Sequence, residues 1–260
     1  MNVKQTVLKV GFLSLLVFGA SLHAAEPPLR LGIEAAYPPF ASKTPDNTIV
    51  GFDYDIGQAL CAEMKVQCQW QEQEFDGLIP ALKVKKVDAI ISSMSMTPER
   101  MKSVDFSNRY YRIPARLVFK KGTGITDIPA QLKGKRIGVQ RATNFDRYVT
   151  ENFAPAGAEV IRYGSQNEVF LDLLGGRLDA TMASSVVIDE SLLKRPEGQG
   201  YEFVGPAFTE EKFFGSGIGI AVRKGDPLAG RFNQALAAIR ANGTYDKIRQ
   251  KYFDFDIYGE

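Results

Sequence analysis

Histidine is all but missing from this 260-residue chain. The single one, His23, falls in the N-terminal segment. Beyond that segment a Ser-His-Asp or Cys-His nucleophile pair and a histidine-based zinc site are excluded. Carboxylate or lysine catalysis stays open. Long apolar runs are also missing, with one exception at Val10–Leu22. Lys4 and Lys9 precede or open that run, and Ala24-Ala25 follow it. The run is too short for a spanning helix, and residues 1–25 read as a secretory signal peptide cleaved near Ala24/Ala25. No cysteine lies near that cleavage region, so lipid attachment is not expected. A charge excess is lacking too. The chain carries 32 basic and 30 acidic residues, and losing Lys4 and Lys9 leaves 30 of each. A neutral chain argues against binding nucleic acid or a membrane surface, which both need basic excess. Cysteine is limited to Cys61 and Cys68. An exported chain meets an oxidising compartment, which favours pairing them as a structural staple at a helix end. A redox or metal role is the rival, and the spacing supports neither.

What is present is ordinary globular material, 45% apolar, long enough for two lobes of roughly 100 residues. Leu29–Ile33 reads as a strand that ends at Glu34 and the prolines 38 and 39. A helix is expected from Gly51-Phe52-Asp53 to about Met64, with Ile56, Leu60 and Met64 on one face. A strand follows at Val66–Trp70, then a helix from Phe75 and a strand at Val87–Ile91. The second half repeats this order. Strands are expected at Arg136–Val139, Glu159–Tyr163 and Leu178–Ala183, with helices at Asn144–Phe153 and Asn167–Leu174. Such alternation predicts α/β lobes with mixed, mostly parallel sheets. An internal echo supports two similar lobes, since L-K-V-K-K-V-D-A-I-I-S-S (82–93) parallels L-L-G-G-R-L-D-A-T-M-A-S (173–184). Gly215–Arg223 should run extended back to the first lobe, followed by helices to Ala241 and over Thr244–Phe253. The chain would then cross between lobes near 113–116 and 211–216, a two-strand hinge.

The stretch Asp88–Arg100 concentrates small polar groups where ligands of open α/β sheets bind, at a strand's carboxyl end. Ser92, Ser93 and Ser95 follow the apolar strand, and Thr97-Pro98 opens a helix as N-cap and first helical residue. Arg100 in the first turn opposes the helix dipole, a mismatch relieved if it grips a carboxylate in two parallel hydrogen bonds. A plain serine loop with a solvated arginine is the alternative reading.

Several motifs agree in order across the chain beyond the leader. G-F-D-Y-D-I-G-Q-A-L-C, F-D-G-L-I-P-A-L-K, I-I-S-S-M-S-M-T-P-E-R, L-K-G-K-R-I-G-V-Q, G-R-L-D-A and N-G-T-Y-D-K-I-R-Q-K-Y-F resemble the polar amino-acid-binding proteins of bacterial ABC importers. The lysine/arginine/ornithine, histidine and arginine binders are the most similar subgroup. The resemblance implies a two-lobed Venus-flytrap fold, with lobe 1 at 26–113, lobe 2 at 114–212 and a return at 213–260. It implies a periplasmic monomer that binds a basic amino acid and delivers it to an inner-membrane permease, without cofactor, metal or nucleic acid. Residue by residue, it places Arg100 on the ligand α-carboxylate, with Ser93 and Ser95 assisting and Thr143 opposite. It makes Tyr37 and Phe75 the aromatic pair around the ligand side chain, and Glu34 the acid for its distal cation. Gln140 faces the cleft from a strand-to-helix turn.

One position departs from the resemblance. Similar binders carry an Asp for the ligand α-ammonium five residues beyond the Asp of G-R-L-D-A, and this chain has Ser184. Either another acid serves that role, or the ligand's α-nitrogen is substituted, as in the arginine-derived opines octopine and nopaline. Two other functions stay in view. A dehydratase acting on prephenate or arogenate resembles the same family and would use Glu34 as its acid. A sensor's ligand domain would need a separate signalling partner.

Overall fold

The computed structural model describes residues 27–259. The expected leader, with its cleavage region and His23, lies outside the described residues. The chain starts with β1 (Leu29–Ile33), the short strands β2 (Ala36–Tyr37), β3 (Ala41–Lys43) and β4 (Ile49–Val50), and helix α1 (Phe52–Glu63). Next come β5 (Cys68–Glu72), α2 (Phe75–Lys83), β6 (Ala89–Ile90), α3 (Pro98–Met101) and β7 (Val104–Phe106). The middle of the chain forms β8 (Ala115–Lys120), β9 (Arg136–Gln140), α4 (Asn144–Asn152), β10 (Glu159–Tyr163) and α5 (Gln166–Leu174). It continues through β11 (Ala180–Ser184), α6 (Ser185–Ile188), β12 (Tyr201–Phe208) and α7 (Glu211–Phe214). Finally β13 (Ala221–Arg223), α8 (Leu228–Ala241) and α9 (Thr244–Tyr252) return to the first lobe.

Two five-stranded sheets result, ordered β5-β1-β6-β13-β7 and β10-β9-β11-β8-β12. In each, the first three strands run parallel and the fourth runs against its neighbours on both sides. The mixed, mostly parallel α/β architecture in two lobes is therefore as the sequence predicts. Helices bury their apolar faces on these sheets. Ile56 and Leu60 of α1 are fully buried, as are Ile137 and Val139 of β9 beneath Val149 of α4. Cys61, near the end of α1, is bonded to Cys68 at the start of β5.

The internal echo has a structural counterpart. Asp88 accepts from the main-chain nitrogen of Arg30 at 3.1 Å and from its guanidinium at 2.9 and 2.8 Å. Asp179 accepts from Arg136 in the same three ways, at 2.8, 3.2 and 3.3 Å. Each Asp leads its strand, β6 or β11, into place beside a parallel neighbour, β1 or β9, clasping the arginine there.

Several boundaries differ from expectation. The second strand begins at Cys68 instead of Val66, because Lys65 takes a left-handed φ of 55° and prolongs the turn after α1. The small sheet β2-β3-β4 is an addition to the expected elements: its two- and three-residue strands are too short to show a period, and β2 and β3 flank Pro38-Pro39. Strand β12 escaped notice because Gly205-Pro206 interrupts it, where the pairing with β8 shifts register. The expected extended run Gly215–Arg223 is a regular strand only over Ala221–Arg223.

The two crossings between lobes are hydrogen-bonded to each other. Ile218 N–H donates to the Tyr111 carbonyl at 2.8 Å, and Tyr110 N–H to the Ile218 carbonyl at 2.9 Å. Met96 N–H donates to the Gly217 carbonyl at 2.8 Å. Gly215 is required here, with φ +68° and a site where a Cβ would sit 2.3 Å from the Met96 carbonyl oxygen.

The matched Asp–Arg clasps should carry similar weight. Asp88→Ala and Asp179→Ala are each expected to lower stability by about 2 kcal/mol, as loss of charge-assisted hydrogen bonds does. Urea unfolding of the two variants checks this.

Candidate functional site

Between the lobes lie two small adjoining cavities that share Tyr37, Ser93, Asn144 and Phe145. The smaller is also lined by Glu34, Phe75, Ser92, Gln140 and Thr143. The larger extends toward the crossings and is lined by Ser95, Tyr111 and Ser184 among others. Nine of the ten ligand-site positions singled out from sequence thus face one or both cavities. The tenth, Arg100, lines the neighbouring groove together with Thr97, Ala142, Thr143 and Asn144.

Glu34 follows β1 at the sheet's carboxyl edge and is 5% exposed. Its main-chain N–H donates to Ser92 Oγ at 2.9 Å, so Ser92 fixes the backbone of Glu34. Gln140 Nε2 reaches from the second lobe to Glu34 Oε1 at 2.6 Å and to the Gly164 carbonyl at 3.0 Å. Among the described residues no cation pairs with Glu34. Burial pushes its carboxyl up to about 7, helped by the nearby charges of Asp76 and Glu74 and opposed by the Gln140 bond. A buried acid held only by a neutral amide, next to Tyr37 and Phe75, suits an incoming cation.

Arg100 is held by carbonyls. Thr97 caps α3 by accepting from Arg100 N–H at 3.2 Å. The Arg100 guanidinium donates to the Ser95 carbonyl at 3.1 Å and, across the cleft, to the Ala142 carbonyl at 3.3 Å. It lies 5.2 Å from the Phe75 ring centroid. Among the described residues no carboxylate pairs with it, and burial pulls its pKa down to about 10. A cation so placed is ready for an external carboxylate.

On the second lobe Thr143 spends its hydroxyl within the protein. It donates to the Gln140 carbonyl at 2.7 Å and accepts from Asp146 N–H at 3.1 Å as N-cap of α4. Ser184 is 8% exposed, and its Oγ has no hydrogen-bond partner. Tyr37 from the first lobe receives a main-chain hydrogen bond from Ser184, while burial holds its hydroxyl well above its ordinary range.

The sequence reading missed Asn144 and Phe145, which line both cavities. Their position directly after the Thr143 cap is the available signal, because the first residues of a helix face whatever its capped end faces. It also missed Asp53 and Tyr111, whose bonds to Ser93 are described below. Arg141 is a rim contact, paired with both Glu74 and Asp76 across the mouth of the cleft.

Residues 29–255 match the family described as bacterial extracellular solute-binding proteins, family 3. The L-arginine-binding protein of Pseudomonas aeruginosa is 59% identical over 251 residues, covering 96% of this chain and 97% of that protein. The lysine/arginine/ornithine-binding periplasmic protein of Escherichia coli is 41% identical over 260 residues, covering 99% of this chain and all of that one. Among solved structures, an ancestral arginine-binding protein bound to arginine superposes with a TM-score of 0.80 at 37% identity, covering 87% of this chain and 98% of that chain.

Arg141 joins the lobes through two partly exposed ion pairs, which solvent screens strongly. Arg141→Ala should therefore weaken ligand binding about fivefold, chiefly through faster release. Stopped-flow measurement of dissociation tests it.

Proposed function

Because the chain belongs to the bacterial extracellular solute-binding proteins, family 3, we propose that its cleft captures a guanidinium-bearing amino acid, foremost L-arginine. The bound amino acid is delivered to an inner-membrane ABC permease. The observation that carries this reading is the buried, cation-free carboxylate of Glu34 in one cavity with Tyr37 and Phe75. A flat cation between two rings gains about 0.5–2 kcal/mol per contact, and the acid supplies its counter-charge. Arg100 takes the α-carboxylate, with Ser95 and the start of α4 beside it. Ser92, Gln140 and Thr143 hold this frame in place. Within the described residues, 27–113 with 213–259 form one lobe and 114–212 the other, and the paired crossings serve as the hinge. The protein acts in the periplasm as a monomer, without cofactor, and binds without turning over its ligand. The Pseudomonas aeruginosa relative is an L-arginine-binding protein by name, which agrees with this choice.

A second reading rests on the buried, unpartnered Ser184 hydroxyl. In it the ligand is an arginine substituted on its α-nitrogen, and Ser184→Asp shifts preference toward free arginine.

Calorimetric titration of ligand-stripped protein separates these readings, using L-arginine, L-lysine, L-histidine, octopine, nopaline, agmatine and L-glutamate. L-Arginine is expected to bind at least tenfold tighter than L-lysine. Tight binding of octopine or nopaline alone moves the assignment to substituted arginines, unless Ser184→Asp leaves the ranking unchanged. Binding of none, or turnover of prephenate or arogenate, refutes the proposed function.

Glu34 adds a pH dependence. Its folded, ligand-free pKa lies above its ordinary value of 4.5, near 7. The ligand-free fold is therefore favoured by this group below pH 4.5 and loses that contribution as pH rises toward 7. A bound cation requires the ionised form, so affinity should fall as pH drops below 7, with protons released on binding. Glu34→Gln should stabilise the ligand-free protein at pH 8 by as much as about 3 kcal/mol and weaken arginine binding at least 100-fold. Titrations in buffers of different ionisation enthalpy, with thermal melts, read both effects.

A further inference from the structure

Asp53 is fully buried in the first turn of α1, away from the cleft surface, and no role falls to it in the reading above. Three donors converge on its carboxylate. Ser93 N–H reaches Oδ2 at 2.6 Å, Ser93 Oγ reaches the same oxygen at 2.9 Å, and the Tyr110 hydroxyl reaches Oδ1 at 2.8 Å. The Tyr111 hydroxyl in turn donates to Ser93 Oγ at 2.7 Å. Ser93 itself takes a left-handed φ of 48°, a conformation costly for a non-glycine residue and held here by these bonds.

A serine hydroxyl has one proton and two lone pairs. At Ser93 the proton goes to Asp53 and one lone pair receives the Tyr111 hydroxyl. What remains for the cavities, both of which Ser93 lines, is one lone pair. The hydroxyl can only accept from a ligand. A carboxylate, which only accepts, finds no partner there, whereas an ammonium does.

We infer that Asp53 is a positioning and specificity-determining residue, which acts through Ser93 to present a negatively biased acceptor to the α-ammonium of the ligand. This rests on reading the cleft as an α-amino-acid site. It reverses the expectation that Ser93 assists Arg100 with the carboxylate, and it supplies the counter-charge that Ser184 cannot. Both Ser93 and Ser184 line the larger cavity. The orphan Ser184 hydroxyl is then free to accept a second ammonium proton, with no acid needed on that lobe. Burial pushes the Asp53 carboxyl up to about 7, and the Tyr110 and Ser93 bonds pull it the other way. Since Ser93 N–H cannot reverse its direction and both oxygens already accept, the arrangement fits the ionised form. A cation arriving at Ser93 favours that form further.

The test compares L-arginine with 5-guanidinopentanoate, which keeps the guanidinium and carboxylate and lacks the α-ammonium. Asp53→Asn and Ser93→Ala should each weaken L-arginine at least tenfold and 5-guanidinopentanoate less than threefold. A merely structural role would weaken both ligands alike. Equal losses, or no loss for L-arginine, overturn the inference. Ser93→Ala leaves the buried carboxylate in place, so it decides the matter alone if Asp53→Asn does not fold. If the wild-type protein binds neither compound, the proposed function fails separately. Ser93 amide exchange in ligand-free Tyr110→Phe then still reads the geometry. Exchange at least threefold faster than wild type is expected, and unchanged exchange overturns the hold of Asp53 on Ser93.

Discussion

Two ionisable side chains without opposite partners among the described residues, the buried Glu34 and the half-buried Arg100, organise this molecule. Glu34 is held by a neutral amide and Arg100 by two carbonyls. An isolated buried charge is among the least favourable features a fold can contain. Neighbouring elements are arranged to keep each one in place: Ser92 behind Glu34, Gln140 in front of it, Thr97 under Arg100. The lobes meet through these same groups, because Gln140 and the Ala142 carbonyl come from the second lobe. Closure and charge placement are therefore one problem. A ligand with a cation at one end and a carboxylate at the other relieves both charges at once.

The duplicated lobes show how a sheet of this kind is registered. In each, an aspartate just ahead of the central strand of the sheet, β6 or β11, clasps an arginine near the start of the neighbouring strand, β1 or β9. The clasp ties backbone to side chain at the amino edge and leaves the carboxyl edge to the ligand. That edge carries Glu34 and Ser93 in the first lobe, and Gln140 and Ser184 in the second. Equivalent positions thus face one another across the cleft with different chemistry. The first lobe contributes the acid, and the second contributes neutral polar groups and the ring of Phe145.

The sequence made the regular elements legible where a helical or strand period extended over several residues. Glu159–Tyr163 and the helix starting near Gln166 followed from pattern alone. Short strands did not, since β2, β3 and β4 contain two or three residues each. The cleft residues were legible largely through resemblance, with their chemistry consistent but not unique. Ser93 illustrates what a sequence withholds. Its hydroxyl could donate or accept, and only its contacts with Asp53 and Tyr111, 40 and 18 residues away, decide which. Arg100 illustrates the same limit, for its two carbonyl partners lie on different lobes.

The order of strands has a consequence for how the molecule is made. The second lobe, from β8 through β12, is one uninterrupted stretch of chain. The first lobe is not, because β13 sits between β6 and β7. Leaving the ribosome or crossing a membrane amino end first, the chain presents β1, β6 and β7 long before the strand that joins them. During that interval β6 and β7 have exposed edges, and such edges invite wrong pairing. The later half of the chain can meanwhile complete its own sheet. Assembly would then run opposite to sequence order, with the first lobe finished last by a strand from the carboxyl-terminal side, a long-range pairing that slows folding.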